Sequence, residues 1–356
     1  MTKKSRIPGR LPLPREPQSV GKISLQELIR LLPRGRPRSL LVGPQPGVDV
    51  GVVRLPGRFR LLVTTDPLYL PPELGDQRAT WLAYHAVAGD MVTSGWPAQF
   101  MTLDLSLPIG TTPTTVRRLV QGLFREGRRW GTVPVAGHTG RYPGSHWPMV
   151  GSLTLLTVAL EGTYVTSRDA RAGHWVGVAG PLGLEAAVLV AYLREDLLGG
   201  KLSRRLLGNL RRRLRELTVL PLARLAVRKI GLGPRGISAM HDVAEGGIRR
   251  ASWEFAQASR LRLDLKEDPW YFEPTVTGVL RKAGLDPLTS SSQGALLLAF
   301  DPHQYRSLRR AFARRGIPFQ VAGRLLRGPP GLYEGGRKVP DPGIDSLGAL
   351  LPSPGE

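Results

Sequence analysis

The ten residues Ala239-Met240-His241-Asp242-Val243-Ala244-Glu245-Gly246-Gly247-Ile248 constrain this chain more than any other stretch. A short acidic cluster runs into two glycines. Behind them Ile248, Ala251, Phe255 and Ala258 recur at helical spacing, so one face of the following segment is apolar. The glycines therefore stand at a helix entrance, with Asp242 just ahead of it. A helix N-terminus carries unpaired N–H groups and the positive end of the macrodipole, and glycine lets another group approach that backbone. Two readings share this pattern: an N-capped helix behind a glycine turn, and a phosphate seat with carboxylates in reach of a metal.

Length and composition narrow what can surround that segment. The 356 residues suffice for two domains at roughly 100–200 residues each, and the 41% hydrophobic content excludes wholesale disorder. Cysteine is absent, which removes disulfides, thiolate nucleophiles and every cysteine-based zinc or iron–sulfur site. The basic, proline-rich start Met1 to Pro14 has no apolar h-region, and apolar stretches such as Ala186–Leu193 are too short to span a bilayer. The expectation is a soluble cytoplasmic protein with no membrane partner.

The net charge of +22 admits a nucleic-acid partner. The densest basic block, Lys201 to Lys229, holds ten basic residues against the single acid Glu216. Leu202, Leu206, Leu210 and Leu214 recur every fourth residue there, which predicts one basic amphipathic helix. A solvated helix face is the favoured reading, with a phosphorylated ligand or RNA as the alternatives. No homeodomain, zinc-finger or RNA-recognition motif is visible, so nucleic acid is possible but not favoured.

Along the chain, residues 1–20 read as a flexible basic tail and residues 326–356 as a Gly/Pro-rich tail. Between them lie two blocks, 21–161 and 173–325, joined by a linker around Gly162–Ala172. In the first, Leu61–Thr65, Gln99–Leu107, Thr132–Ala136 and Gly151–Leu160 are strand-like. Met101, Leu103, Leu105 and Leu107 alternate with polar residues, the period of a half-buried strand. One helix covers about Gln77 to Ser94. A second starts at Pro113 behind a Thr112 cap, with Val116, Leu119, Val120, Leu123 and Phe124 as its apolar stripe. The second block opens with strand, glycine turn and helix at Trp175–Glu185 and ends with a strand at Ala295–Phe300.

There is no Walker A loop, nucleophile-elbow serine, paired-histidine zinc helix or EF-hand. The string Gly231-Leu232-Gly233-Pro234-Arg235-Gly236 matches GxGxxG, but it follows a basic helix and contains a proline, so it reads as a loop. What remains is aspartates at structural junctions. Asp49 precedes Val52-Val53, Asp66 ends the strand Leu61–Thr65, and Asp90 falls late in the first helix. Gly137-His138-Thr139 closes the strand Thr132–Ala136. Singly these are turn or cap residues. Together they suit magnesium, a hard cation that takes oxygen ligands and bridges carboxylates to nucleotide phosphates.

The order of these pieces resembles the superfamily of aminoimidazole ribonucleotide (AIR) synthase, hydrogenase-maturation carbamoyl dehydratase, thiamine-monophosphate kinase, selenophosphate synthetase and formylglycinamidine synthase. The resemblance rests on Gly47–Val53, Thr64–Pro67, Ala88–Gly95, Val135–Thr139 and His241–Gly247, over about Gly21 to Gly323. Through Ser290–Leu298 the chain is most similar to uncharacterised relatives of the hydrogenase-maturation enzyme. The resemblance implies an α+β fold of two domains: an N-terminal sheet-plus-helix domain that dimerises and binds ATP, and a C-terminal α+β domain. It implies Asp49, Asp66 and Asp90 as holders of Mg2+ and the ATP phosphates, and Gly137, His138 and Thr139 as a loop approaching nucleotide and metal. Asp242, Gly246 and Gly247 match the C-domain motif facing the cleft. Asp242 and His138 are the candidate catalytic residues.

The chain departs from the family pattern at Val48, Gly89, Ala136 and Gly140, each of which removes a polar ligand or tightens a loop. The hydrogenase-maturation enzyme carries its substrate on a C-terminal cysteine. This chain has none and ends Leu351–Glu356, so that reaction is not expected. The function implied is ATP- and Mg2+-dependent phosphorylation of a small-molecule acceptor by a homodimer, as a kinase or an amide-oxygen-activating synthase. The alternative is a non-catalytic dimeric relative that binds a ligand, a protein or RNA through the same cleft and the basic helix.

Overall fold

The computed structural model describes residues 37–198, 202–343 and 345–347. The first layer opens as a meander of β1 (Leu40–Val42), β2 (Gly51–Arg54) and β3 (Phe59–Tyr69). Helix α1 (Asp76–Val92) leads to β4 (Phe100–Pro108), α2 (Pro113–Trp130) leads to β5 (Val133–Tyr142), and β6 (Met149–Leu160) returns to the middle of the sheet. The strand order is β1-β2-β3-β6-β4-β5. Among the described strands of this sheet only β4 and β5 run parallel, as a strand pair joined by a crossover helix must, and α2 is that crossover. Thr112 caps α2 as expected, its hydroxyl accepting from the Thr115 N–H at 3.2 Å.

The second layer comprises β7 (Trp175–Ala179), α3 (Leu184–Leu193), α4 (Arg204–Arg212), α5 (Leu220–Ile230), β8 (Ile237–Val243), α6 (Gly247–Ser259) and β9 (Arg262–Leu265). It continues with α7 (Pro274–Lys282), β10 (Ala295–Phe300), α8 (Tyr305–Ala313), β11 (Phe319–Leu326), β12 (Gly331–Glu334) and β13 (Arg337–Lys338). The order in this sheet is β13-β12-β9-β11-β7-β10-β8. The edge strand β8 therefore carries the His241-Asp242 pair on the rim of the sheet. One apolar cluster joins the two layers, running from Leu62, Tyr84 and Leu105 to Leu189, Leu220 and Met240. The fold is α+β, as the sequence implied.

Alternation decides how the first sheet packs. Met101, Leu103, Leu105 and Leu107 of β4 are buried as predicted, beneath α1 and α2. Phe59, Phe100, Val133 and Leu160 project from the opposite face and stay exposed. Phe59 pairs with Leu160 and Phe100 with Val133, so they form two uncovered apolar pairs on that face, bridged along β6 by the half-buried Leu156 and Val158.

Four expectations change. Asp66 does not end its strand, because β3 runs on to Tyr69 and Asp66 pairs with Leu153 of β6. Gly137-His138-Thr139 likewise lies within β5, opposite Leu103–Leu105, and does not close it. The basic block is not one helix. It breaks between α4 and α5, where Leu217 leaves helical geometry and Pro221, which has no N–H to donate and clashes with a preceding turn, opens the next helix. Its leucine stripe still packs, with Leu210 and Leu214 buried. Residues 331–338 do not trail over the surface, because β12 pairs with β9 and buries Leu332. The expectations for residues 1–20 and 348–356 lie outside the described residues.

Candidate active site

Each layer supplies part of one acidic cluster. On β3, residues 62, 64, 66 and 68 point to the face that α1 covers, since side chains two apart share a face. Thr64 and Asp66 thus meet the last turn of α1, where the Thr64 hydroxyl donates to Asp90 Oδ2 at 3.0 Å. The Asp66 carboxylate lies close enough to Asp90 to act on it by its charge. Burial, and then the charges of Asp66, Asp242 and Asp49, push the Asp90 carboxyl well above the usual carboxylate range.

Asp49 arrives on the segment before β2, which docks on α6 through Gly47. At φ +72° Gly47 lies in the left-handed region, and a Cβ there would overlap the Glu254 carbonyl. This contact brings Asp49 Oδ1 within 2.7 Å of His241 Nδ1. The approach is an ion pair outside hydrogen-bond geometry, and Asp49 Oδ2 is buried with no hydrogen-bond partner. On the other side of the ring, Nε2 stands 3.6 Å from Glu254 Oε2, and Arg250 Nε in turn holds Glu254 Oε1 at 3.0 Å. Burial pulls the His241 imidazole down, but Asp49, Glu254 and Asp242 outweigh it and raise its pKa to about 10. The flanking acids thus favour the protonated form of the ring.

Asp242 completes the group. It lies on β8, and donor atoms of Asp49, His241 and Asp242 all fall within 4.8 Å of one another. A Cβ at Gly89 would come within 3.6 Å of Asp242 Oδ2, so the glycine there lets the end of α1 approach the carboxylate. Four carboxylates crowded together repel unless protons or cations intervene. The His241 imidazole meets part of that need, and the orphaned Asp49 oxygen marks a position where a further cation gains a ligand. The donor set is mainly carboxylate oxygen, which suits a hard divalent cation.

The structure brings together Asp49, Asp66, Asp90 and Asp242. It does not bring Gly137, His138 and Thr139 to them within one chain. They lie on the edge strand β5, three strand spacings from β3, or roughly 14 Å. There His138 Nε2 meets the Tyr142 hydroxyl, and Gly137, His138 and Thr139 line a shallow 250 Å³ depression over Leu103 and Phe124. The helix entrance also differs from expectation. The N-cap of α6 is Gly246, with no side-chain cap, so Asp242 is a strand residue and not a cap. The Gly246 N–H donates to Asp345 Oδ2 at 2.7 Å, and a Cβ on Gly247 would meet the carbonyls of Ser290 and Leu288. Within the described chain these glycines serve close packing and already have an anion in Asp345.

Sequence reasoning gave no role to His241, Glu254 or Glu185. The first two become legible only when β8 and α6 fold back on each other, which stacks His241 near Phe255. Glu185, in the first turn of α3, accepts from the Gln293 N–H at 2.8 Å. Burial, then Asp345, Asp242 and Glu245, raise its pKa to about 8. A carboxyl raised in the folded state contributes stability that is fully present below its unfolded pKa, near 4.5, and lost as pH rises through about 8. Chemical denaturation should therefore show stability falling between pH 5 and pH 8 by on the order of a few kcal/mol. Glu185→Gln should flatten that slope, and an unchanged slope would refute the assignment.

The arrangement can be set against known proteins. Residues 47–158 match the model of the AIR synthase related protein N-terminal domain, and residues 171–331 match that of the C-terminal domain. The chain belongs to the AIR synthase-related family. Among relatives, the carbamoyl dehydratase HypE of Escherichia coli (strain K12) is 26% identical over 242 residues, 66% of this chain and 65% of that protein. The chain thus spans slightly under two thirds of that relative's length. HypE of Rhizobium leguminosarum bv. viciae is 24% identical over 266 residues, 72% of this chain and 70% of that protein. Among solved structures, E. coli HypE superposes with TM-score 0.65 at 22% identity, over 82% of this chain and 88% of that one. Thiamine-monophosphate kinase from Stenotrophomonas maltophilia K279a gives 0.64 at 21% identity, over 90% and 99%. Both likenesses support the AIR synthase-like fold with its N- and C-terminal domains. Among the described residues no helix is long and apolar enough to cross a membrane.

Proposed function

We propose that this family member is an ATP- and Mg2+-dependent enzyme that phosphorylates a small molecule, as a kinase or as a synthase activating an amide-type oxygen. The observation that carries the reading is the gathering of Asp49, Asp66 and Asp242 from both layers close enough to act on Asp90, with Asp49 and Asp242 offering ligand atoms within 4.8 Å of each other and of His241. Relatives bear the names carbamoyl dehydratase and thiamine-monophosphate kinase, and one superposed ThiL structure is described as complexed with AMPPCP and TMP. Asp49, Asp66 and Asp90 would hold the metal. Mg2+ bound there supplies charge neutralisation and orientation for nucleotide phosphates.

The residues around the cluster have separable tasks. Thr64 orients Asp90, and His241 holds Asp49 while Glu254, itself held by Arg250, flanks His241. Asp242, on the C-terminal layer, faces the acceptor and is the carboxylate placed to orient its attacking group. We assign an N-terminal domain over 21–161 and a C-terminal domain from 173 that runs past 325 to take in β12 and β13, with a cytoplasmic location. We further assign a homodimer that buries the Phe59–Leu160 and Phe100–Val133 pairs, an arrangement that lets His138 and Thr139 of β5 serve a site shared between copies. ADP release should rise when the right acceptor is added to protein, ATP and Mg2+. Failure of millimolar ATP to bind by calorimetry in the presence of Mg2+ would sink the proposal.

A further inference from the structure

A groove of about 630 Å³ lies between α1 and α2 on one side and the turn into α5 on the other. It starts about 7 Å along the axis of α1 from Asp90, since His85 is five residues earlier. Its walls are aromatic. His85 stacks on Trp81 with ring centroids 4.2 Å apart and meets Trp130 edge-on at 6.0 Å. The His85 side chain is only 3% exposed. Its Nδ1 meets the Thr218 hydroxyl at 2.8 Å, and its Nε2 has no hydrogen-bond partner and stands 3.7 Å from Glu126 Oε2.

The rim is cationic. Arg129, Arg215 and Arg224 line it, and Glu126 is the only acid among the lining residues. Glu126 is already engaged by His85 and Arg129. The Arg215 guanidinium lies 4.9 Å over the Trp81 ring. Among the described residues neither Arg215 nor Arg224 has an acidic partner within salt-bridge distance. Burial lowers the Arg215 pKa and Glu126 partly restores it, but Arg129 and Arg78 crowd it with like charge. Such a gathering of guanidiniums is relieved by an anion, and guanidinium forks match phosphate oxygens in pairs. Trp81 is buried between His85 and the Arg215 guanidinium, whereas the partly exposed Trp130 leaves surface in the groove against which a flat ring can pack. The volume falls in the usual range of small-molecule sites, roughly 300–1,000 Å³.

We propose that this groove binds a small anion carrying a planar ring, of the nucleoside monophosphate class, with the ring against Trp130 and the phosphate on Arg129, Arg215 and Arg224. The site is separate from the acidic cluster and needs no metal.

The test is a titration of the full chain with AMP in EDTA, followed by calorimetry and by tryptophan fluorescence. Saturable binding at one site per chain is expected, with affinity reduced about tenfold or more by the surface changes Arg215→Ala and Arg224→Ala together. Asp90→Asn should leave that affinity unchanged, which separates the groove from the metal cluster. Adenosine alone and inorganic phosphate alone should each bind at least about tenfold more weakly than AMP. The proposal is overturned if AMP does not saturate the protein at millimolar concentration, or if the arginine double variant binds AMP as well as the parent. It is equally overturned if phosphate or adenosine matches AMP, or if a single-stranded oligonucleotide binds through these arginines and AMP does not compete.

Discussion

Asp90→Asn should abolish metal-dependent nucleotide turnover, by about 100-fold or more, while leaving the fold intact or slightly stabilised. Loss of one preorganised electrostatic group at a reacting centre costs on the order of 100- to 1,000-fold. Asparagine matches aspartate in shape, and its amide oxygen can still accept from the Thr64 hydroxyl, so the local packing survives. It cannot carry the negative charge that a divalent cation needs. In the metal-free fold the same change removes one carboxyl from a crowd that includes Asp66, Asp242 and Asp49. Activity and melting temperature should therefore move apart. If both fall together, Asp90 is a structural residue. If turnover persists, the metal assignment fails.

Gly47→Ala should be among the most destabilising single-methyl additions in the molecule. The residue combines a left-handed φ of +72° with a direct overlap between the new Cβ and the Glu254 carbonyl. The left-handed conformation alone costs a non-glycine residue roughly 1–2 kcal/mol. The overlap requires the segment before β2 to leave α6, so a total near 3 kcal/mol is expected, within the range of severe point changes. Gly57→Ala separates the two effects, because Gly57 has a similar φ of +67° and open space around it. Denaturant melts should rank Gly47→Ala clearly below Gly57→Ala. Metal-nucleotide affinity should fall only in the former, because Asp49 rides on the displaced segment and loses its place beside His241. Equal destabilisation by both would show that the docking contact carries no weight.

Much of this was legible in the residues because the relevant periods are short-range. The two-residue alternation of Met101 to Leu107 fixed which face of β4 is buried, and Thr112-Pro113 marked the start of α2. Motif order along the chain, through the family resemblance, pointed to Asp49, Asp66, Asp90 and Asp242 as residues of one cleft, although no two of them are closer than 17 residues. Long-range pairing was not legible. Nothing near Asp66 signals that β3 continues through Pro67, which depends on β6 lying alongside. Nothing near His241 names Asp49 and Glu254 as its flanking acids, because those contacts need β8, α6 and the Gly47 segment to fold together. Local pattern also misled where tertiary demands intervened. The leucine stripe of Leu202 to Leu214 promised one long helix, but Leu217 and Pro221 end it and create the turn that walls the arginine groove. The two glycines at the entrance of α6 suggested an open phosphate seat. The fold supplies Asp345 there, from a segment that sequence reasoning had placed in a tail.

The central claim is that four aspartates from two layers form one metal and nucleotide cluster. The most direct measurement is a crystal structure of the full chain grown with Mg2+ and a non-hydrolysable ATP analogue. The account predicts Mg2+ bound to the carboxylates of Asp49, Asp66 and Asp90 at about 2.0–2.1 Å, with its remaining positions taken by phosphate oxygens and water. Analogue phosphates bound elsewhere, with those three carboxylates holding no metal, would contradict it.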